Sequence, residues 1–455
     1  MADNVDPNQP YILWGTPHSL YTGKARSCLI KKGLAFVERC PSHSDYKERV
    51  RPAVGLVTFP VLETPEGQFI QDSTDIVTYL DSIEDQASAT CMTPFSPVQR
   101  VVARLIDGFG LEGMLQAAMH YRWSYRDEQE LFLQTEFGRG LYAGPDREAR
   151  RAAGRRVMDF FSASLPALGI TPQTQPAIEA AYEELLEALD VHFQSYPYVM
   201  GWRVSMADLG LIAPMYAHLG RDPYPTALMK KRAPNVARWV ERMQLPNTPD
   251  GEFAPHDADW LPDDAIPATL EPVLALMFKD WGPQLSTDMA SYQKWCDAHP
   301  DAPSGQLIHF NNDPMVHPTV GMVRFTWRGV QVQRASAVHG LWLFQMAQLA
   351  AQNLPSKAAQ NLAALLQRTG GQEVMALTLP RQMERRKAPP CTGGRRPRPG
   401  VSLSSAIHHL QRIQYQHTPF YFENSIILSF FHCKYCHAFA ADALAATATL
   451  CSSRP

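Results

Sequence analysis

The sequence has no long apolar run and little net charge for its length. No stretch approaches the ~18 consecutive apolar residues of a membrane-spanning helix, although 45% of the 455 residues are hydrophobic. The first ten residues contain neither a basic region nor an apolar core, so we expect no signal peptide. A formal net charge of −3 gives no general attraction to nucleic acid or to an anionic membrane. We therefore expect a cytoplasmic protein that binds neither.

Cysteine is scarce over most of the chain. Four of the eight cysteines are scattered through the first three hundred residues, as is typical of a reducing compartment. The remaining four lie near the end of the chain, where Cys433 and Cys436 stand between His432 and His437. Adjacent histidine and cysteine rarely reach one metal together, and no second ligand pair follows at zinc-finger spacing. We therefore expect no metal site.

The beginning of the chain predicts a strand, a helix and a second strand. Residues 11–14 are an apolar strand pattern, and a helix pattern runs from Thr22 to Lys31 and Lys32. Two cations followed by Gly33 form a conventional helix end. Residues 36–39 are the second strand. Strand, helix and strand in this order indicate a right-handed βαβ unit with parallel strands.

The stretch between residues 59 and 80 predicts a β-hairpin followed by a helix. Pro60 opens the first strand, where its missing N–H is tolerated, and residues 64–67 favour a turn. Asp72 and Ser73 stand where the helix begins. The N–H groups at a helix start suit a carboxylate, and an aspartate can pair with an ammonium group. An ordinary hairpin followed by a capped helix is the alternative interpretation.

The loop before the first helix is the candidate for chemistry, because a helix N-terminus favours a thiolate. A redox thioredoxin has Cys-x-x-Cys at this position. This loop has no cysteine, which argues against disulfide exchange. Ser19 and Tyr21 each carry a hydroxyl that can donate a hydrogen bond to a bound thiolate. Lys24 and Arg26 follow in the helix and are expected to add positive charge nearby.

These patterns together resemble the cytosolic glutathione transferases, whose N-terminal domain has a thioredoxin fold. The resemblance is carried by the strand that Pro60 opens, the hairpin, and the acidic-serine pair at the helix start. Serine-type members have serine, proline and an aromatic residue just before a helix with a basic residue. Ser19, Leu20 and Tyr21 line up with that pattern, with leucine in place of proline.

The resemblance implies a set of glutathione contacts. The backbone of Phe59, before a cis Pro60, would bind the cysteinyl amide of glutathione. Asp72 and Ser73 would hold the γ-glutamyl end. Ser19 would donate to the sulfur, with Tyr21 as the competing donor because other classes use a tyrosine. A backbone N–H at the helix start is a third candidate, because helix termini bind anions unaided.

A second part of the resemblance lies further along the chain. Ser205 and Asp208 have the spacing of a capping box, in which each residue satisfies a backbone N–H of the other. The family carries such a box in the core of its helical domain, and residues 234–239 resemble the helix that closes that domain. The resemblance covers residues 9 to 245 and implies an all-helical second domain.

We predict four segments. Residues 9–84 form an α/β thioredoxin-like, glutathione-binding domain, and residues 95–245 form an all-α helical bundle. Residues 265–386 form a small α+β extension, with a hairpin over residues 320–334, to which we assign no chemistry. Residues 387–455, with an abrupt change of composition, are predicted to be disordered or not selected to fold.

The functional prediction is a glutathione transferase-like enzyme of the detoxification type, with glutathione as co-substrate and no metal. Its partner is a hydrophobic electrophile, and the resemblance leaves a homodimer open. Two alternatives remain. One is a non-catalytic relative that uses the fold for binding or assembly, and the other is a glutathione-dependent thiol oxidoreductase.

Overall fold

A computed structural model describes residues 10–54, 58–84, 88, 90–246, 251–254, 259–306, 308 and 319–385. The predicted tail over residues 387–455, including Cys433 and Cys436, lies outside this described part. None of the described helices is both long enough and apolar enough to cross a membrane.

The N-terminal domain is a four-stranded mixed sheet in the order β2-β1-β3-β4. β1 pairs parallel with β2, as the βαβ pattern predicts, and antiparallel with β3, which pairs antiparallel with β4. This is the predicted thioredoxin-like arrangement. Its strands and helices are β1 (Tyr11–Trp14), α1 (Leu20–Lys31), β2 (Phe36–Arg39), α2 (Arg51–Val54), β3 (Val61–Glu63), β4 (Phe69–Gln71) and α3 (Ser73–Ser82).

The ends of α1 follow from local chemistry. Ser19 is the N-cap and its Oγ accepts from the N–H of Thr22, so the helix begins at Leu20, two residues before the predicted start. It ends before Gly33, which has a φ of 67° in the left-handed region that glycine tolerates. The stop at Lys32 and Gly33 is therefore confirmed.

The second part of the chain is helical, as predicted. Its helices are α4 (Pro97–Gly108), α5 (Leu115–Trp123), α6 (Arg126–Leu141), α7 (Arg147–Ala163), α8 (Gln175–Ser195), α9 (Met206–Ala217), α10 (Pro223–Arg232) and α11 (Pro234–Met243). A π-helical turn over Phe109–Gly113 links α4 to α5.

The predicted capping residues lie at the start of α9. The N–H of Ser205 donates to Asp208 Oδ2 at 2.9 Å. Asp208 Oδ1 also accepts from the Val199 N–H at 2.9 Å and from the indole of Trp239 at 3.1 Å. The buried carboxylate therefore joins α9 to the preceding loop and to α11, a wider role than a helix cap.

The extension is α+β, as predicted. It consists of α12 (Glu271–Ala298), β5 (Met322–Trp327), β6 (Val330–Ala335), α13 (Val338–Ala350), α14 (Ser356–Thr369) and α15 (Gln372–Met375). α12 is one long helix whose buried face continues through Trp281, Met289 and Tyr292. β5 and β6 form the predicted antiparallel hairpin.

One apolar core joins the three parts. The largest cluster of buried side chains includes Leu13 and Leu62 of the sheet, Ile212 of α9, Trp281 of α12 and Phe344 of α13. The extension therefore buries apolar surface against the other two parts, which is the dominant favourable contribution to folding. The boundaries of the four predicted segments stay predictions.

Candidate functional site

Ser19 stands at the N-terminus of α1 with one hydrogen-bonding function unused. Its Oγ accepts from the Thr22 N–H at 3.4 Å. Its hydroxyl proton has no acceptor within the described part of the chain. The N-terminus of α1 carries a partial positive charge, so it favours an anion placed beside this hydroxyl.

The hydroxyl of Tyr21 is already engaged inside the protein. It donates to Glu112 Oε1 at 3.1 Å. Burial and the Glu112 carboxylate raise the pKa of Tyr21 well above its usual value. The proton of Tyr21 is therefore held by a carboxylate.

The same carboxylate contacts His339 of the extension. His339 Nδ1 lies 2.7 Å from Glu112 Oε1. Burial alone would lower the pKa of His339, but the hydrogen bond and the charge of Glu112 outweigh it and raise that pKa. Glu112 lies in the π-helical turn before α5 and is buried. Sequence reasoning identified neither residue, because nothing local links two side chains 227 positions apart.

Lys24 and Arg26 of α1 were expected to add positive charge near the loop, but both are paired with carboxylates. Lys24 Nζ is 2.6 Å from Asp107, and Arg26 donates to both carboxylate oxygens of Glu38 at 2.6 and 2.7 Å. Buried charges need such partners. The helix N-terminus, rather than these cations, therefore supplies the positive potential at Ser19.

Lys24 also connects the two halves of the site. Its Nζ donates to Thr74 Oγ1 at 3.2 Å, and Thr74 lies in the first turn of α3. The side chain of Lys24, in the second turn of α1, therefore contacts the first turn of α3. In agreement, the charge of Asp72 contributes to raising the pKa of Tyr21.

The Phe59–Pro60 peptide bond is cis, as the resemblance implies. Phe59 precedes β3, and its ring lies 5.4 Å from that of Tyr46. The carbonyl of Pro60 accepts from the N–H of Asp72 at 3.1 Å. The cis bond and the start of α3 are thus joined by a backbone hydrogen bond.

Asp72 and Ser73 begin α3 as predicted. Asp72 is the N-cap, and its Oδ1 accepts from the Thr74 N–H at 2.8 Å. Its φ of 85° is uncommon for a residue with a side chain, and such conformations concentrate at functional sites. Ser73 is the first helical residue and is only 1% exposed. Asp72 Oδ2 faces Arg385, which lies at the end of the described chain.

The buried side chain of Arg122 forms a hydrogen bond to the loop before α1. Arg122 Nη1 donates to the carbonyl of His18 at 2.8 Å, and its Nε and Nη2 donate to the carboxylate of Asp222 at 2.6 and 3.0 Å. Burial and Arg122 lower the pKa of His18 well below its usual value. His18 is thus a neutral loop residue, and Arg122 links it to the helical part.

The extension packs against the start of α1. Leu343 of α13 packs in one cluster with Leu20, and Trp342 and Tyr21 lie against that cluster.

A cavity of about 40 Å³ lies between α5, α8, α12 and β5. In the described residues, no group of three or more histidine, cysteine, aspartate or glutamate side chains is placed to hold a metal ion.

Residues 13–88 match the family model described as glutathione S-transferase, N-terminal domain. No curated protein matches the chain. Three similar solved structures have low identity. A β-etherase from Sphingobium sp. strain SYK-6 is 17% identical, with 51% of this chain and 94% of that chain covered and a TM-score of 0.34.

The second is a glutathione S-transferase of Ceriporiopsis subvermispora solved in complex with glutathione. It is 17% identical, with coverages of 52% and 98% and a TM-score of 0.35. The third, a glutathione S-transferase from Sinorhizobium meliloti 1021, is 18% identical, with coverages of 58% and 98% and a TM-score of 0.33.

Proposed function

We propose that this chain is a glutathione transferase-like protein that activates the thiol of glutathione for attack on a hydrophobic electrophile. In this proposal Phe59 and Pro60 bind the cysteinyl part, and Asp72 and Ser73 bind the γ-glutamyl end. Ser19 donates a hydrogen bond to the sulfur.

The juxtaposition of two helix starts supports this proposal best. Ser19 caps α1 with its proton unused, while Asp72 and Ser73 begin α3, and Lys24 in the second turn of α1 contacts the first turn of α3. A tripeptide with a thiol at one point and an amino acid at its end needs two such anchoring positions. Both also offer N–H groups to a negative charge.

The required stabilisation of the thiolate is modest. Lowering a thiol pKa from about 8.5 to about 6.5 takes roughly 2.7 kcal/mol. One hydrogen bond to a charged group contributes about 1.5–3 kcal/mol, and a helix terminus adds about 0.3–1 kcal/mol. The thiol then releases its proton to solvent near neutral pH. The sulfur forms a bond to the electrophilic carbon, and the displaced electron pair goes to the leaving group or the adjacent acceptor.

A non-catalytic binding protein is the second candidate. The packing of Leu343 and Trp342 beside Leu20 and Tyr21 favours it, because α13 occupies space next to the start of α1. A thiol oxidoreductase is disfavoured. No cysteine lies in the loop, and burial raises the pKa of Cys28 in α1 to about 12.

Calorimetric titration of the full chain with glutathione, followed by turnover assays, tests the proposal. The assays would use an activated aryl halide, an epoxide, an enone and a hydroperoxide. Binding with an ionised thiol and turnover of one electrophile supports the enzyme. Binding without thiol ionisation indicates the binding protein, and absence of binding rejects both. A homodimer and a cytoplasmic location are also part of the proposal, to be examined by light scattering and cell fractionation.

A further inference from the structure

The last described residues return to the start of α3. Arg385 Nη2 donates to the carbonyl of Gln71 at 2.8 Å and pairs with the carboxylate of Asp75. Its Nη1 lies 3.5 Å from Asp72 Oδ2 and donates no hydrogen bond within the described residues. The guanidinium is therefore anchored through Nη2, its buried Nε has no partner among the described residues, and Nη1 remains available beside Asp72.

The two oxygens of the Asp72 carboxylate also differ in their hydrogen bonding. Oδ1 accepts from the Thr74 N–H, which leaves Oδ2 without a hydrogen-bond donor in the part of the chain that the structure describes. An available anion and an available cationic donor thus lie next to each other. Their separation exceeds the usual length of a charge-assisted hydrogen bond, about 2.7–2.9 Å. Arg385 Nη1 and Asp72 Oδ2 are therefore not hydrogen-bonded to each other.

We propose that Arg385 is a further binding residue of the glutathione site and takes the α-carboxylate of the γ-glutamyl residue while Asp72 takes the ammonium group. This inference rests on the proposed function. The two charged groups of that residue are attached to one carbon atom, so they fit a neighbouring aspartate and arginine. Arginine is suited to such a carboxylate because it stays charged, and its Nη1 carries two N–H groups that can donate.

The charges of the surrounding residues indicate that Arg385 does not keep the ammonium group of the ligand away from Asp72. Asp72 and Asp75 carry two formal negative charges and Arg385 carries one positive charge. The net negative charge that remains attracts an ammonium group with Arg385 in place. The closest contacts of Arg385 are with Asp75 and the Gln71 carbonyl, which leaves Asp72 Oδ2 to the ligand.

The extension holds Arg385 in position. Met383 is buried, and its N–H and carbonyl form hydrogen bonds of 2.8 and 2.9 Å with the side-chain amide of Gln345 in α13. Arg381 donates to the carbonyl of Pro300 at 2.6 Å. The segment that leads to Arg385 is neither helix nor strand, but hydrogen bonds hold it at the residues before and after residue 382. The extension thus contributes a residue to a site built by the N-terminal domain.

Two ligands and three variants test the assignment. The ligands are glutathione and 4-aminobutanoyl-cysteinyl-glycine, which lacks only the α-carboxylate. The unaltered full chain should bind the second ligand about ten- to hundredfold more weakly, the loss expected for one charge-assisted contact. Arg385→Ala should bind glutathione that much more weakly, and it should bind the two ligands with equal affinity. Arg385→Lys should recover part of the discrimination.

The matched control is Arg368→Ala, because Arg368 is an exposed arginine of the extension that pairs with Glu271. It should leave both affinities unchanged. Equal affinity of the unaltered chain for the two ligands overturns the assignment, and this comparison needs no variant to fold. Unchanged or tighter glutathione binding by Arg385→Ala also overturns it, while leaving the proposed function intact. Failure of the unaltered chain to bind glutathione rejects both.

Discussion

The hydroxyl of Tyr21 donates to Glu112 Oε1 over 3.1 Å, so one of the two candidate hydroxyls of the loop is held by a buried carboxylate. Glu112 also contacts His339, which fixes this carboxylate from two sides. If Tyr21 donated to a thiolate instead, Glu112 would lose a hydrogen bond in a buried position, which is costly. Ser19, with no acceptor for its proton among the described residues, has no such constraint.

We therefore predict that Ser19→Ala, and not Tyr21→Phe, changes the ionisation of bound glutathione. Losing one donor to a charged group costs about 1.5–3 kcal/mol. At ~1.36 kcal/mol per unit, the pKa of the bound thiol should rise by about one to two units in Ser19→Ala. The absorbance of the thiolate in the protein–glutathione complex, titrated against pH, measures this pKa. A shift in Tyr21→Phe without one in Ser19→Ala would reverse the assignment.

A second prediction concerns the charge of Asp72. Asp72→Asn keeps an oxygen that can cap α3 at the Thr74 N–H but removes the partner of the ammonium group. The KM for glutathione should rise about ten- to hundredfold, and kcat should change by less than about twofold. Steady-state kinetics with varied glutathione gives both quantities.

The control for this variant is Asp159→Asn, because Asp159 is an exposed aspartate of α7 paired with Arg126. Its kinetics should equal those of the unaltered chain. An unchanged KM in Asp72→Asn would place the γ-glutamyl end elsewhere.

Local patterns predicted most of the N-terminal domain. Apolar runs and turn residues marked the strands, and the end of α1 followed from two lysines and Gly33. Asp72 and Ser73 were placed at a helix start because capping depends on residues that are adjacent in sequence. The cis bond before Pro60 came from the family resemblance, since the residues alone are compatible with either isomer.

The contacts made by the extension could not be predicted in this way. Glu112 with His339, and Asp72 with Arg385, join positions more than two hundred residues apart. A single charged residue in an otherwise apolar stretch indicates that it needs a partner, but not which one. The pairing depends on how α12 and α13 pack on the helical part, and long-range packing leaves no periodic signal in the sequence.

A third prediction is a pH effect on folding. Asp288 is buried in α12, and its burial, opposed by the charge of Arg334, raises its pKa to about 6. In the unfolded chain the pKa is about 3.9. Between these values the folded protein keeps a proton that the unfolded chain has released, so the free energy of unfolding falls as pH rises through the window.

Asp288→Asn removes this titration. The difference in unfolding free energy between the unaltered chain and the variant should therefore decrease with pH by up to about 1.4 kcal/mol per unit between pH values of about 4 and 6. It should be constant above that window. Urea denaturation of both proteins at a series of pH values measures it. A pH-independent difference would show that Asp288 titrates normally.

The last prediction concerns the buried pair of Arg122 and Asp222. Both side chains are almost fully buried, at 2% and 0% exposure. Arg122→Met leaves the carboxylate of Asp222 without its partner, which should lower the free energy of unfolding by about 3–5 kcal/mol. The double variant Arg122→Met, Asp222→Leu should recover much of that loss, because neither charge remains buried.

The double variant should still be impaired in activating the sulfur of glutathione, because the carbonyl of His18, next to Ser19, has lost its donor. Chemical denaturation and the thiolate titration measure these two effects separately. If the double variant recovered stability and thiol pKa together, Arg122 would have no role in positioning the loop.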